Sequence, residues 1–248
     1  VVLFFNQPQG DANMSAISRL ATSLSFIQVP KERLSCNLSL YLVANRPSFQ
    51  DEQVFFSKIL AAVRGGVSCV QLRDHQSSYL TSLEMASRLK DMLGATPLFV
   101  NTLESIKLAQ AINAEGIYLE EGVTPSEARS LLGERVIIGA PVKTMEEVMA
   151  TNQMQAIDYL SVKVFPSKKT CPKNTILWGI EGLRKIRLSS PHRIVAIGGL
   201  NLNSVEAIYK DLNMGDGIAM AGGLMGEENP YLTAKKIQAI QENIRGQA

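Results

Sequence analysis

The sequence predicts an α/β fold, a (β/α)8 TIM barrel carrying an N-terminal extension, and three observations predict it. From Ser39 onward, eight short apolar runs alternate with eight segments of helical periodicity. The runs are apolar on both faces, as parallel strands covered on both sides are. The last two runs, Ile194–Ile197 and Gly217–Ala221, end in glycine pairs, Gly198–Gly199 and Gly222–Gly223. Bare backbone after strands 7 and 8 of such a barrel lets several N–H groups converge on an anion.

Residues 1–38 stand outside that rhythm. Val1–Phe5 is an apolar run of strand length, and Met14–Phe26 has helical spacing at Ile17, Leu20 and Leu24, broken by Pro30 and Lys31–Arg33. The stretch reads as a helix closing the barrel's N-terminal mouth, or as a remnant of an upstream module or a dimerisation arm. Residues 39–248 form the barrel. Ser39–Ala44 is strand 1, and Gln53–Arg64 its helix, with Val54, Ile59 and Val63 inward and Gly65–Gly66 ending it. Cys69–Arg73 and Leu98–Asn101 are strands 2 and 3, followed by helices Leu80–Leu93 and Ser105–Ile112. Gly116–Leu119 is strand 4; Thr124, Pro125 and Glu127 then make a capping box with proline at the first helical position. Val136–Ala140 is strand 5, and Thr144 and Glu147 cap Met145–Ala150. Tyr159–Val162 is strand 6, Ile180–Ile186 a short helix, Ser204–Asp211 the helix between strands 7 and 8, and Asn229–Pro230 opens the last helix.

Composition narrows the function. Net charge is +2 with the basic residues scattered, which gives no nucleic-acid stripe. Aromatic content of 6% leaves no base-stacking platform. No apolar run approaches the roughly 18 residues of a membrane span. The start, VVLFFNQPQGDANM, lacks the basic region of a signal peptide and an initiator Met, so it reads as trimmed or as the tail of an upstream module. Cys36, Cys69 and Cys171 are odd in number and lack metal-ligand spacing, which predicts a reducing, cytoplasmic setting. No G-x-G-x-x-G opens a helix after strand 1, so a nicotinamide site is disfavoured.

In this fold the chemistry sits at the carboxyl ends of the strands. Those ends carry Gln71, Arg73 and His75; Asn101 and Thr102; Tyr118, Glu120 and Glu121; Pro141 and Lys143; Lys163 and then Ser167, Lys168, Lys169 and Thr170; and the two glycine pairs. Cations, hydroxyls and bare amides at one mouth suit a phosphorylated ligand. Gln71 and Arg73 alternate on one strand and so face the same way. A buried Arg73 needs an anionic partner, either a ligand or one of Glu120 and Asp74. His75 reads as a phosphate donor, a proton shuttle or a solvated loop residue. Asn101 would fix a polar ring edge or cap a turn. Glu120–Glu121 is a magnesium candidate or a solvated pair, Lys168–Lys169 a surface pair or phosphate ligands, and His192 a structural residue at the opposite end.

VQLRD at Val70–Asp74, FVN at Phe99–Asn101, KLAQAINAEGIYL at Lys107–Leu119, VIIGAPV at Val136–Val142, IDYLSVKVFPSKKT at Ile157–Thr170 and VAIGGL at Val195–Leu200 resemble the thiamine-phosphate synthase family in order and spacing. The resemblance covers Ser39 to Ile240. It implies a transferase of thiamine biosynthesis on a (β/α)8 barrel, joining hydroxymethylpyrimidine diphosphate to a thiazole phosphate and releasing pyrophosphate. It implies a dissociative step, with magnesium and cationic side chains stabilising the leaving group. Gln71, Arg73 and Asn101 match the pyrimidine-diphosphate positions, Ser167 and Gly198–Gly199 the thiazole-phosphate positions. Arg73, His75 and Lys169 are the implied catalytic cations; Lys168, Thr170, Gly222 and Gly223 complete the substrate contacts. The chain departs from the family at His75 for a lysine, at Thr102 and Val123 for magnesium-binding aspartates, at Pro141 for a serine, at the displaced Lys169, and at Gly222 for a serine. Glu120 and Glu121 are the candidates to restore a magnesium site. The alternatives implied are a thiazole tautomerase, with Lys143 at the acid–base position, and a phosphate-binding barrel without catalysis.

Overall fold

In a computed structural model the described residues are 33, 35–46, 51–120, 123–165 and 177–246. The expected helix at Met14–Phe26, Glu121, Ser167, Lys168, Lys169, Thr170 and Cys171 lie outside them. Eight strands form one closed parallel barrel in sequence order: β1 (Leu40–Asn45), β2 (Cys69–Asp74), β3 (Leu98–Thr102), β4 (Gly116–Tyr118), β5 (Ile137–Pro141), β6 (Tyr159–Lys163), β7 (Arg193–Ile197) and β8 (Gly217–Met220). β8 closes on β1 with Leu40 opposite Ile218. The intervening helices are α1 (Glu52–Arg64), α2 (Tyr79–Leu93), α3 (Ser105–Ile112), α4 (Pro125–Leu132), α5 (Met145–Thr151), α6 (Gly179–Ser189) and α7 (Val205–Tyr209). After β8 come α8 (Gly222–Met225) and α9 (Pro230–Gly246).

Several strands run one residue past their expected ends, into polar sequence. Asn45 lies opposite Arg73, Asp74 opposite Thr102, and Lys163 opposite Ile197. A parallel neighbour that continues the ladder satisfies the backbone whatever the side chain, so polarity alone does not end a buried strand. Alternation splits the strand side chains into two sets. Leu40, Leu42, Val70, Leu72 and Val100 pack outward against the helices. Tyr41, Val43, Cys69, Phe99, Tyr159 and Val195 fill the barrel.

Two expectations are corrected. Val54 is 42% exposed; α1 turns Ile59 inward as expected, together with Phe55, Phe56 and Ala62. Asp51, whose carboxylate accepts from the Gln53 and Val54 amides, starts that helix one residue earlier than expected. Gly222–Gly223 is no open turn but the start of α8. A Cβ at Gly223 would lie 2.3 Å from the Leu200 carbonyl oxygen, so glycine here permits a close backbone approach. The capping boxes are half formed: Thr124 and Thr144 accept from the Glu127 and Glu147 amides, but the Glu147 carboxylate reaches the Lys143 amide.

One device repeats at the bottom of the barrel. A polar residue just before each even strand accepts an N–H from the start of the preceding odd strand. Ser68 Oγ accepts from Leu40, Glu115 Oε2 from Leu98, Asp158 Oδ2 from Ile138 and Asp216 Oδ1 from Ile194. Each satisfies a donor that the ladder leaves open. Asp158 and Asp216 also take Arg129 and Arg187 at 2.7 and 2.8 Å. Arg33, whose Nε is 3.3 Å from Asp158 Oδ1, and Arg193, which donates to the Cys36 and Arg33 carbonyls, fasten the described part of the N-terminal stretch beneath the barrel. The Leu38 carbonyl passes so close to Gly217 that a Cβ there would overlap it.

His192 sits in this layer, 2% exposed, with Nε2 2.8 Å from the Thr151 carbonyl oxygen. The hydrogen bond needs the proton on Nε2, and burial pushes the imidazole below its usual value. The unfolded chain then binds a proton that the native protein refuses. Stability from His192 is complete above about pH 6.5, where the unfolded imidazole is neutral, and falls as pH drops toward the lower native pKa. Urea unfolding at pH 8 and pH 5 checks this. His192→Gln, which keeps a donor but does not titrate, is expected to lose less stability between those pH values than the unaltered protein.

Candidate active site

The carboxyl ends of β2, β3 and β4 bring four of the sequence-predicted residues together. Asn101, 1% exposed at the end of β3, is held from both sides. Its Nδ2 donates to the Tyr118 carbonyl at 3.2 Å, and its Oδ1 lies 3.0 Å from His75 Nε2. With its Oδ1 an acceptor, this contact places a proton on His75 Nε2. The same nitrogen is 3.5 Å from Glu120 Oε1, and Arg73 Nη2 is 3.7 Å from that oxygen. Arg73 and Glu120 are both about two-fifths exposed, at 43% and 42%. Arg73 is therefore not the buried guanidinium expected from an apolar strand; it reaches the lip of the barrel. Half in solvent and 3.7 Å apart, the pair is weak, and both groups remain available to a ligand.

Below this rim the barrel is closed by side chains. Gln71 is 4% exposed, and its Oε1 accepts from Tyr41 Oη at 2.6 Å. Tyr118 Oη donates to Ser161 Oγ at 3.2 Å, and burial pushes its phenol up to about 12, so it stays a neutral donor. Beside the rim a cavity of about 400 Å³ runs from His75 and Asn101 outward between α3 and α4, walled by Leu103, Ile106, Val123 and Leu131. Thr102 and Val123 thus contribute no carboxylate where a diphosphate and its metal would be sought.

Across the mouth, Gly198 and Gly199 take φ values of +91° and +59°, which other residues rarely adopt. A Cβ on Gly198 would meet the Phe165 carbonyl oxygen at 2.7 Å and Lys163 Cγ at 2.9 Å. Lys163 therefore runs beside the glycine turn and brings a cation to it. Lys163 is one of the strand ends named from the sequence, and strand alternation accounts for its direction, since Tyr159, Ser161 and Lys163 share one face. Among the described residues no group of three or more His, Cys, Asp or Glu could hold a metal ion, and no helix is long and apolar enough to cross a membrane.

A closed (β/α)8 barrel with cations, a buried amide pair and a positive-φ glycine turn at the carboxyl ends of its strands has the layout of the (β/α)8-barrel enzymes, which build their sites at that end. Comparison with known proteins narrows the class. Residues 40–224 match the family model described as thiamine monophosphate synthase. The thiamine-phosphate synthase of Albidiferax ferrireducens is 33% identical over 206 residues, covering 82% of this chain and 91% of that one. That of Syntrophomonas wolfei is 34% identical over 215 residues, covering 84% and 99%. Among solved structures, thiamine phosphate pyrophosphorylase from Pyrococcus furiosus superposes with a TM-score of 0.72 at 26% identity, over 86% of this chain and 98% of that one. The chain belongs to the thiamine monophosphate synthase family, a family of transferases, and family and fold together support thiamine phosphate synthesis.

Proposed function

We propose that the protein joins hydroxymethylpyrimidine diphosphate to a thiazole phosphate, releasing pyrophosphate and forming thiamine phosphate, in a reducing cytoplasm. The observation that carries the reading is the rim of β2–β4, where Arg73, His75, Glu120 and Asn101 converge within hydrogen-bonding or ion-pairing reach. Gln71 and Asn101 hold the pyrimidine; Arg73 and His75 take the diphosphate. Breaking the carbon–oxygen bond sends the electron pair to pyrophosphate and leaves a pyrimidinylmethyl cation, which the thiazole nitrogen captures with its lone pair. Arg73, with its fixed fork of donors, stabilises charge where it develops. Gly198–Gly199 and Lys163 hold the thiazole phosphate across the mouth, with Ser167, Lys168, Lys169 and Thr170 of the β6 loop and Gly222–Gly223 completing the contacts.

Magnesium fits this mouth in one way. It binds through one or two carboxylates plus substrate phosphates and keeps several waters. Glu120, a two-fifths-exposed carboxylate at the rim, would hold it, with Glu121 beside it in sequence. When bound, the ion neutralises diphosphate charge. Titration of magnesium alone is expected to show no binding, and titration with pyrophosphate present is expected to show it; binding that does not depend on magnesium removes Glu120 from a metal role. The test of the function is incubation with both substrates, with and without magnesium, followed by detection of thiamine phosphate. Product in the magnesium reaction supports the reading. Thiazole-phosphate binding without product refutes it and leaves the tautomerase or non-catalytic barrel.

A further inference from the structure

Inside the barrel, below the rim, three side chains from strands far apart in sequence touch in series. Tyr41 stands on β1 opposite Cys69, one inward step beneath Gln71 on β2. Its hydroxyl lies 2.6 Å from Gln71 Oε1 and 3.1 Å from the hydroxyl of Tyr159, which comes across from β6. Tyr41 and Tyr159 are 1% and 0% exposed. Tyr159 can lie there because β5 carries Gly139, where a Cβ would fall 2.0 Å from the tyrosine Cζ. Burial pushes both phenols well above their usual range, so both keep their protons.

Counting those protons decides which way the Gln71 amide faces. With Oε1 toward Tyr41, Tyr159 donates to Tyr41 and Tyr41 donates to Gln71, and both hydroxyl hydrogens are used. With the amide reversed, Nε2 donates to Tyr41, the two hydroxyls can make only one hydrogen bond between them, and the hydrogen of one of them has no acceptor among the described residues. A buried donor without a partner is costly, so the first polarity wins. It leaves the Gln71 N–H₂ group, which donates to no described residue, as the part of the amide open to a ligand.

We infer that Tyr159 and Tyr41 are positioning residues that hold the Gln71 carboxamide with its N–H₂ group toward the mouth, so that this point of the site recognises a hydrogen-bond acceptor, such as a ring nitrogen of a pyrimidine. Tyr159 acts without touching Gln71: its one hydrogen sets the direction of the chain. Glycine at position 139 belongs to the same device, since it makes room for the ring. The inference rests on the proposed placement of the pyrimidine diphosphate against Gln71.

Steady-state kinetics of the full chain with each substrate varied in turn tests it. Gln71→Ala is expected to raise KM for the pyrimidine diphosphate about tenfold, the worth of one buried hydrogen bond. KM for the thiazole phosphate should stay within about twofold, as no interaction with it is removed. Tyr41→Phe and Tyr159→Phe are each expected to raise the same KM about threefold to tenfold, and to add less than about twofold in the Gln71→Ala background, since coupled residues act through one interaction. A merely structural role would lower the melting temperature without separating the two KM values. Gln71→Glu keeps the acceptor for Tyr41 and removes the N–H₂ group, so it decides the matter even where a tyrosine variant fails to fold. It should raise KM as Gln71→Ala does, and an unchanged KM overturns the inference. A raised KM in Gln71→Ala with unchanged values in both tyrosine variants also overturns it. No effect in Gln71→Ala refutes the placement of the pyrimidine, and the inference falls with it.

Discussion

Arg73→Ala is expected to lower kcat/KM by about 10²–10³, the usual effect of removing a charged donor aimed at a leaving group. Arg73 stands at the end of β2, opposite Asn101 in the ladder, so the barrel sets its position to within a side-chain rotamer. Its protein partner is Glu120 at 3.7 Å, with both groups well solvated. Exposed pairs of that kind contribute about 0–1 kcal/mol, so the same substitution should leave the unfolding free energy almost unchanged. A large kinetic loss beside a small stability change marks a residue that meets a ligand. Arg73→Lys should recover part of the rate, because the charge remains while the bidentate fork is lost. Measuring kcat/KM and urea unfolding on the same preparations checks both halves. A rate within about threefold of the unaltered protein would remove Arg73 from leaving-group stabilisation.

Asp158→Asn is expected to destabilise the barrel by about 3–5 kcal/mol, without any direct effect on the mouth. The Asp158 side chain is fully buried, and it accepts from Arg129 at 2.7 Å and from the Ile138 amide at 2.8 Å. Arg33 Nε lies 3.3 Å from its other oxygen. Burial pushes the Asp158 carboxyl up despite the two arginines, and pushes the Arg129 guanidinium down. Desolvation thus opposes much of the attraction, and the intact cluster adds little net stability. Removing its one buried anion is different, because Arg129 then has no carboxylate at ion-pair distance among the described residues and Arg33 keeps only the exposed Glu134 at 3.6 Å. The exposed Arg88–Glu52 pair, at a similar 2.8 Å, is the control: Glu52→Gln should cost at most about 1 kcal/mol. Equal losses from the two substitutions would show that burial does not govern the effect.

Most of the fold is legible in the sequence because each element announces itself locally. Strands buried on both faces need continuous apolar runs, and helices over them need periodic ones, so Leu98–Asn101 and Ser105–Ile112 are found almost to the residue. Strand ends are less legible. Asp74, Thr102 and Lys163 belong to strands only because a neighbouring strand continues beside them. The inward face of α1 is misread for a related reason: Val54 and Phe55 are both apolar, and the Asp51 cap together with the barrel surface decides which turns in. The four polar residues before the even strands, Ser68, Glu115, Asp158 and Asp216, are visible in the sequence, but nothing local says that each serves the strand before it. The candidate site divides in the same way. Gln71, Arg73, His75 and Asn101 follow from their places at strand ends, whereas the tyrosines that hold Gln71 read as ordinary core residues.

The sequence by itself determined the barrel and the family, because strand and helix periods and short motifs are properties of contiguous residues. The tertiary structure alone decided that Arg73 is half exposed, that His75, Asn101 and Glu120 meet, and that Tyr159 touches Tyr41, which touches the Gln71 amide on β2. Those facts depend on which side chains the closure of the barrel brings face to face. Closure joins residues such as Tyr41 and Tyr159, 118 positions apart, at a distance where a single proton matters.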